Sequence, residues 1–310
     1  MSSNQTPDLD AFRDFEHAGW TSNVSEYEAA FTRLTRQAVA PLLDAVNLRH
    51  GARLLDVATG PGYVAAAAAA RGARALGVDF SAPMVAHARA INPAVEFQEG
   101  DAEALSLEDC SFDAVVMNFG MLHLARPERA MTEAARVLKP GGCFAFTVWA
   151  RPEEAVGFEI ILKAIQSHGN PGVQLPQGPS FFRFSDPAEC DRTLREAGFL
   201  NVRVTSIPQV WRFNAPGELF DAIYNGGVRI KAVLRAQSNE ALEAIRNAAS
   251  EATKNFNRRG TIELPMPAIL ASAVKPPVTV HDPRLCSGPV ARHNPALNRT
   301  RERRWAAGVS

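Results

Sequence analysis

Three acids and a pair of glycines offer the first chemistry to be read. Asp56 closes the apolar run "ARLLDVA", Asp79 closes "ARALGVDF" and Asp101 closes "AVEFQEGD". Between the first two stands Gly60-Pro61-Gly62, followed by "VAAAAAARG". Glycines there let a backbone turn approach a ligand with no Cβ in the way. Gly60-x-Gly62-x-x-Ala65 also fits the dinucleotide fingerprint in its G-x-G-x-x-A form, which sets a pyrophosphate over a helix N-terminus. Asp56 opposes that ligand, because a carboxylate and a diphosphate would share one low-dielectric crevice. It suits a ligand that presents an ammonium group and no phosphate.

S-adenosylmethionine is such a ligand, combining an amino acid, a sulfonium, a ribose and an adenine. Asp79 stands where a carboxylate accepts both ribose hydroxyls. Its distance from Asp56 fits one βαβ step, a spacing that a dehydrogenase would share. Asp101 is positioned to accept the adenine amino group, with Ala102 offering a backbone N–H to the ring. "FDAVVMNFGMLHL" carries a buried strand into an open loop at Asn118-Phe119-Gly120, beside the ligand at the carboxyl edge.

The elements that must position these residues alternate. In residues 26–46, Tyr27, Ala30, Phe31, Leu34 and Ala38 recur at helical spacing and predict one amphipathic helix ahead of the first strand. Strands then alternate with helices through "CFAFTVWA", with Ser81 as an N-cap and Pro83 in the first turn of its helix. This rhythm predicts right-handed crossovers and a doubly wound, mostly parallel sheet. Beyond Trp149 the chain reads as a helix, a Gly/Pro-rich loop with Phe181, Phe182 and Phe184, and a further helix. A strand broken near Pro208 follows, then helices around 216–236 and 239–256, and a last strand in "MPAILASAVKP".

The chain has 310 residues, 46% of them hydrophobic, enough for a substantial core. A formal net charge of +0 gives no electrostatic case for nucleic acid or an anionic membrane. Four scattered cysteines without a C-x-x-C pair argue against a zinc site or a disulfide framework, and no metal-ligand cluster is visible. The polar N-terminus is unlike a signal peptide, and no apolar run is long enough to span a bilayer, so a soluble, cytoplasmic protein is expected. Residues 278–310 hold six arginines against Asp282 and Glu302, and read as a solvated, poorly ordered tail.

The ordered set Asp56…Gly60-Pro61-Gly62, Asp79, Gly100-Asp101-Ala102, "FDAVVMNFGMLHL" and "RVLKPGG" resembles the class I S-adenosylmethionine-dependent methyltransferases, in the broad group with the ubiquinone/menaquinone-type enzymes. The resemblance continues through "LREAGFLNVRV" to about Lys275. It implies a Rossmann-like, seven-stranded, mostly parallel sheet whose last strand is antiparallel. It also implies a lid segment at 1–48 and a methyltransferase domain at 49–277, with specificity inserts at 151–186 and 214–258. The cofactor set it implies comprises Tyr27, Asp56, Ala58, Gly60, Gly62, Asp79, Phe80, Met84, Asp101, Ala102, Asn118 and Phe119. Ala58 departs from the pattern, standing where many relatives carry the first glycine of D-x-G-x-G-x-G. It is expected to tighten the turn without abolishing binding.

Methyl transfer from a sulfonium is an in-line displacement, served largely by holding the reactants close and aligned. A base is needed only where the acceptor is a weakly acidic hydroxyl or carbon. His123 is the best-placed candidate base; packing at a helix entry is its other reading. Trp149, His168, Phe181 and Phe182 are candidate acceptor contacts, although core packing for the phenylalanines and a helix-dipole role for His168 also fit. Tyr27 shares a helical face with Phe31, so packing and a lid role both stand. The expected function is transfer of a methyl group to O or C of a small hydrophobic or aromatic metabolite by a monomer or homodimer. The alternatives are a cofactor-binding protein of this fold without methyl transfer and a nicotinamide oxidoreductase.

Overall fold

Aliphatic runs with both faces buried favour parallel pairing under helices. The computed structural model describes residues 8–277; residues 1–7 and the Arg-rich segment 278–310 lie outside the described residues. Five strands pair in parallel: β1 (Arg53–Val57), β2 (Arg74–Asp79), the short edge strand β3 (Glu96–Glu99), β4 (Phe112–Asn118) and β5 (Leu138–Trp149). They join β6 (Leu200–Ile207) and β10 (Ala268–Val274) in the order β3-β2-β1-β4-β5-β10-β6. β10 runs antiparallel to both of its neighbours. The sheet is therefore the one expected, with the reversal of order between β1 and β4 that opens a crevice at the carboxyl ends.

Three helices precede β1: α1 (Leu9–Thr21), α2 (Val24–Thr35) and α3 (Val39–Ala45). α1 falls within the lid segment expected at 1–48, although no separate helix was read there; Asp8 caps it by accepting from the backbone N–H groups of Asp10 and Ala11. The single helix expected over 26–46 is broken into α2, a 3-10 turn at Arg36–Ala38 and α3. Pro41 accounts for the break: it has no N–H for Gln37, and its ring crowds that carbonyl.

α4 (Tyr63–Ala70) and α5 (Ala82–Ile91) form the crossovers from β1 to β3, and α6 (Pro127–Val137) that from β4 to β5. Ser81 caps α5, its hydroxyl accepting from Met84 N. The later chain adds α7 (Val156–His168), α8 (Pro187–Glu196), α9 (Glu218–Gly226), α10 (Arg229–Arg235) and α11 (Asn239–Thr253). The helix expected at 216–236 is interrupted by Gly226-Gly227, which separates α9 from α10. β7 (Val210–Phe213), β8 (Asn257–Arg258) and β9 (Thr261–Pro265) form a second antiparallel sheet that was not expected. α11 packs on both α7 and α9, and α2 packs on α9, so the late helices and the N-terminal helices form one cap.

The turn after β1 runs through left-handed backbone. Gly62 has φ +81° and a Cβ there would lie 2.5 Å from the Phe97 ring. Ala58 occupies the same region at φ +53°, the physical reason that glycine suits its position. Gly62→Ala is expected to destabilise the fold by about 2–4 kcal/mol, from backbone strain plus overpacking. Ala58→Gly is expected to stabilise it by at most about 1 kcal/mol, since strain relief is partly offset by chain entropy. Urea denaturation of the two variants checks both signs.

Candidate functional site

The site begins beneath the turn. Asp56 is fully buried, and its Oδ2 accepts from Thr59 Oγ1 at 2.5 Å and from the backbone N–H of Ala65 at 3.0 Å. It ties the loop to the first turn of α4, where an anion also meets the positive end of the helix dipole. Its Oδ1 is buried without a hydrogen-bond partner in the structure. Asp79, at the end of β2, accepts from Gly60 N at 2.9 Å and from Ser81 N at 3.0 Å. One carboxylate thus holds the turn from below and the other from the side.

A cleft opens above the turn at the carboxyl edge of the sheet. Its polar end is formed by Gly60, Asp79, Phe80, Met84, Asp101 and Ala102. Asn118 and Phe119 line its floor, where Asn118 Oδ1 accepts from Thr147 Oγ1 at 2.6 Å and the Phe119 N–H donates to Thr147. The far end is aromatic: Trp149 lies 4.0 Å from Phe119 between ring centroids, and Phe158 stands edge-on to both Trp149 and Phe181. Tyr27 enters from α2, stacked with Phe31, its hydroxyl donating to Thr35 Oγ1 at 3.4 Å. It is both packed against Phe31 and cleft-lining.

α1 lies across the opening. Arg13 pairs with Asp101, His17 Nε2 meets the Phe80 carbonyl at 3.2 Å, and Asp10 pairs with Arg126 at 2.7 Å. Deeper in, Glu16 is fully buried between three donors. Its Oε2 accepts from His123 Nδ1 at 3.0 Å and from Trp20 Nε1 at 3.1 Å, and its Oε1 from Arg229 Nε at 2.5 Å. Burial pushes the Glu16 carboxyl up, but the His123 and Arg229 partners overcome it and hold the group below the usual range.

The structure brings thirteen of the expected site residues to the cleft and leaves four away from it. Asp56 does not line it, because its carboxylate points to Thr59 and Ala65 under the turn. Gly62 is likewise absent from the wall, serving as the left-handed N-cap of α4 against Phe97. His168 is exposed at the end of α7, a position the helix dipole explains. Phe182 packs behind Phe181, edge-on to Phe158. Glu16, Arg36, Phe158 and Arg229 were missed, while Trp20, read as part of the N-terminal lid segment, also lines the cleft. The fold brings the two arginines to the cleft and sets Glu16, fully buried, behind His123.

Burial sets the protonation of the two carboxylates at the turn. It raises Asp56 from 3.8 to about 7, with the nearby Asp79 charge adding to the effect, and raises Asp79 from 3.8 to about 6. The folded protein then keeps protons that the unfolded chain has already released. The stability of the ligand-free protein should therefore fall as pH rises from about 4 to about 7, by up to ~1.4 kcal/mol per pH unit for each proton so retained. Asp56→Asn should flatten this decline. Calorimetric unfolding across the range tests it, and a midpoint rising toward pH 7 would contradict the assignment.

Known proteins share this arrangement. A family model described as a methyltransferase domain matches residues 55–146, from β1 into β5. Demethylmenaquinone methyltransferase from Clavibacter sepedonicus is 33% identical over 180 residues, covering 54% of this chain and 71% of that protein. The enzyme of the same name from Renibacterium salmoninarum is 30% identical over 177 residues, covering 54% and 75%. The structure of Haemonchus contortus phosphoethanolamine N-methyltransferase 2 in complex with S-adenosyl-L-methionine overlays with a TM-score of 0.51, at 20% identity, covering 86% of this chain and 60% of that one, a likeness of fold alone. Agreement in sequence over most of a relative's length, on the sheet and turn just described, means that the chain belongs to the class I S-adenosylmethionine-dependent methyltransferase family.

Proposed function

We propose that this enzyme binds S-adenosylmethionine along the polar end of the cleft and methylates a carbon or oxygen of a small aromatic acceptor held at the other end. The observation that carries the reading is the division of one continuous cleft into an acidic, glycine-lined half and a half walled by Trp149, Phe158 and Phe181. The residues fit the cofactor. A Cβ at Gly60 would stand in open space over the cleft, so its absence lets a ligand lie on the backbone. Asp79 uses one lone pair of each oxygen on the turn and retains others for a ribose diol. Arg36, stacked 4.7 Å over the Tyr63 ring, brings a cation for an amino-acid carboxylate.

Held there by Gly60, Asp79, Asp101 and Arg36, the cofactor would supply a sulfonium-activated methyl group, with the carbon–sulfur electron pair left on sulfur. The chain's own part is to align and to move one proton. The aromatic walls sandwich a flat ring, and such contacts are directional as well as apolar. His123 borders this half, and its Nε2 receives the proton that the acceptor hydroxyl gives up as its oxygen or ring carbon becomes nucleophilic. The names of the curated relatives support a quinol-type ring as the acceptor class. A formal charge of zero and an apolar acceptor end support a small molecule over a nucleic acid.

Titration calorimetry with S-adenosylhomocysteine is expected to give a Kd on the order of micromolar, about −8 kcal/mol, and NAD is expected to give no heat. Tight NAD binding without response to S-adenosylhomocysteine would overturn the cofactor assignment. Asp79→Ala should weaken S-adenosylhomocysteine by about 1–3 kcal/mol, the scale of a lost buried acceptor. Methyl-labelled cofactor offered with 1,4-naphthohydroquinone and simple phenols then reads the acceptor half directly.

A further inference from the structure

The N-terminal helix contributes one side chain that the cofactor does not need. Glu16 lies on α1, 107 residues from His123 and 213 from Arg229, yet it is the point at which these elements meet. An ionised carboxylate only accepts hydrogen bonds, so at the 3.0 Å contact the proton must lie on His123 Nδ1. In the neutral imidazole, the form that can take a proton, this puts the lone pair on Nε2 of a ring that lines the cleft. The ring is held further by Trp20, edge-on at 4.7 Å, and by Phe181 at 5.9 Å.

Arg229 makes the arrangement directional. Its Nε donates to Glu16, while its two terminal nitrogens donate to the carbonyls of Pro179 at 3.0 Å and Leu122 at 2.7 Å. The guanidinium also lies 4.4 Å over the Phe12 ring, on the same helix as Glu16. Every donor of this group that the structure orients thus fixes which way the carboxylate faces. Of the charged groups nearby, Glu16 alone bonds the imidazole; Arg229 acts through it, and Arg126 is engaged by Asp10 and Glu103.

We propose that Glu16 is a positioning residue for methyl transfer: it fixes His123 as the Nδ1–H tautomer with Nε2 open to the acceptor, so that the base is assembled only when α1 lies over the cleft. The inference rests on the functional reading above, in which His123 receives the acceptor's proton. It makes α1 a part of the chemistry as well as a cover for the cofactor.

The test separates the two. In ¹⁵N-histidine-labelled full-length protein with S-adenosylhomocysteine bound, the His123 signals, identified by their loss in His123→Gln, should show a protonated Nδ1 and an unprotonated Nε2. Glu16→Gln keeps the shape of the side chain, but its one oxygen cannot serve Arg229 Nε–H on one side and the Trp20 and His123 N–H groups on the other. Arg229, the permanently charged donor, takes the oxygen, which leaves Trp20 Nε1–H unpaired and turns the amide N–H₂ toward His123, so the tautomer should invert to Nε2–H. kcat should fall at least about 100-fold, the scale of a base lost to the wrong tautomer, while the KM for S-adenosylmethionine changes less than about threefold. Glu16→Asp, which keeps a carboxylate, should retain the Nδ1–H signal and recover part of kcat. An Nε2–H tautomer in the wild type, or an unchanged kcat in Glu16→Gln, would overturn the proposal. A wild type that methylates no phenol or hydroquinone would overturn the functional reading, and the tautomer spectra would still decide whether Glu16 sets His123.

Discussion

Two buried carboxylates bracing one glycine turn, from below and from the side, are the constraint on which the site depends. Asp56 and Asp79 each lose their water to hold backbone N–H groups, Asp56 at Ala65 and Asp79 at Gly60 and Ser81. Desolvation of this kind is costly, and the raised pKa values of both acids record that cost. The result is a turn whose backbone is fixed before any ligand arrives. Preorganised polar groups serve a binding site because little ordering remains to be done on association. The strain at Ala58, in a conformation that suits glycine, belongs to the same account.

Most of the sheet and the polar half of the cleft were legible in the sequence. The signals are local: an acid at the end of each of three apolar runs, a Gly-Pro-Gly between two of them, and crossover helices of ordinary length. Chain order and the carboxyl-edge rule then place Asp79, Asp101 and the Asn118 loop together. What a strand pattern cannot tell is whether a terminal acid turns into the crevice or under the loop. Asp56 and Asp79 look alike in sequence, yet one lies beneath the turn and the other beside the cleft.

The aromatic half of the cleft was legible only in part, for a different reason. Trp149 and Phe181 could be named because large aromatics stand out near the edge of a sheet. Phe182 and His168 share the same local signals, but packing turned one behind its neighbour and left the other at an exposed helix end. Glu16 and Arg229 had no local signal at all. Each is a charged residue among polar neighbours, and their meaning comes from partners over a hundred residues away. This cluster is assembled by the cap, where sequence periodicity carries the least information.

The position of β10 has a consequence for how the molecule comes into being. This strand is the last in the described chain, but it lies inside the sheet, between β5 and β6. Until residues 268–274 have left the ribosome, β5 presents an unpaired edge and β6 has no strand to join. Pairings of such long range form slowly, and open strand edges invite association with other chains. A sheet formed before that point is limited to the five parallel strands, which already contain the glycine turn, and it stays open along β5. Closing that side, and with it the wall behind Trp149, needs the last strand of the described chain.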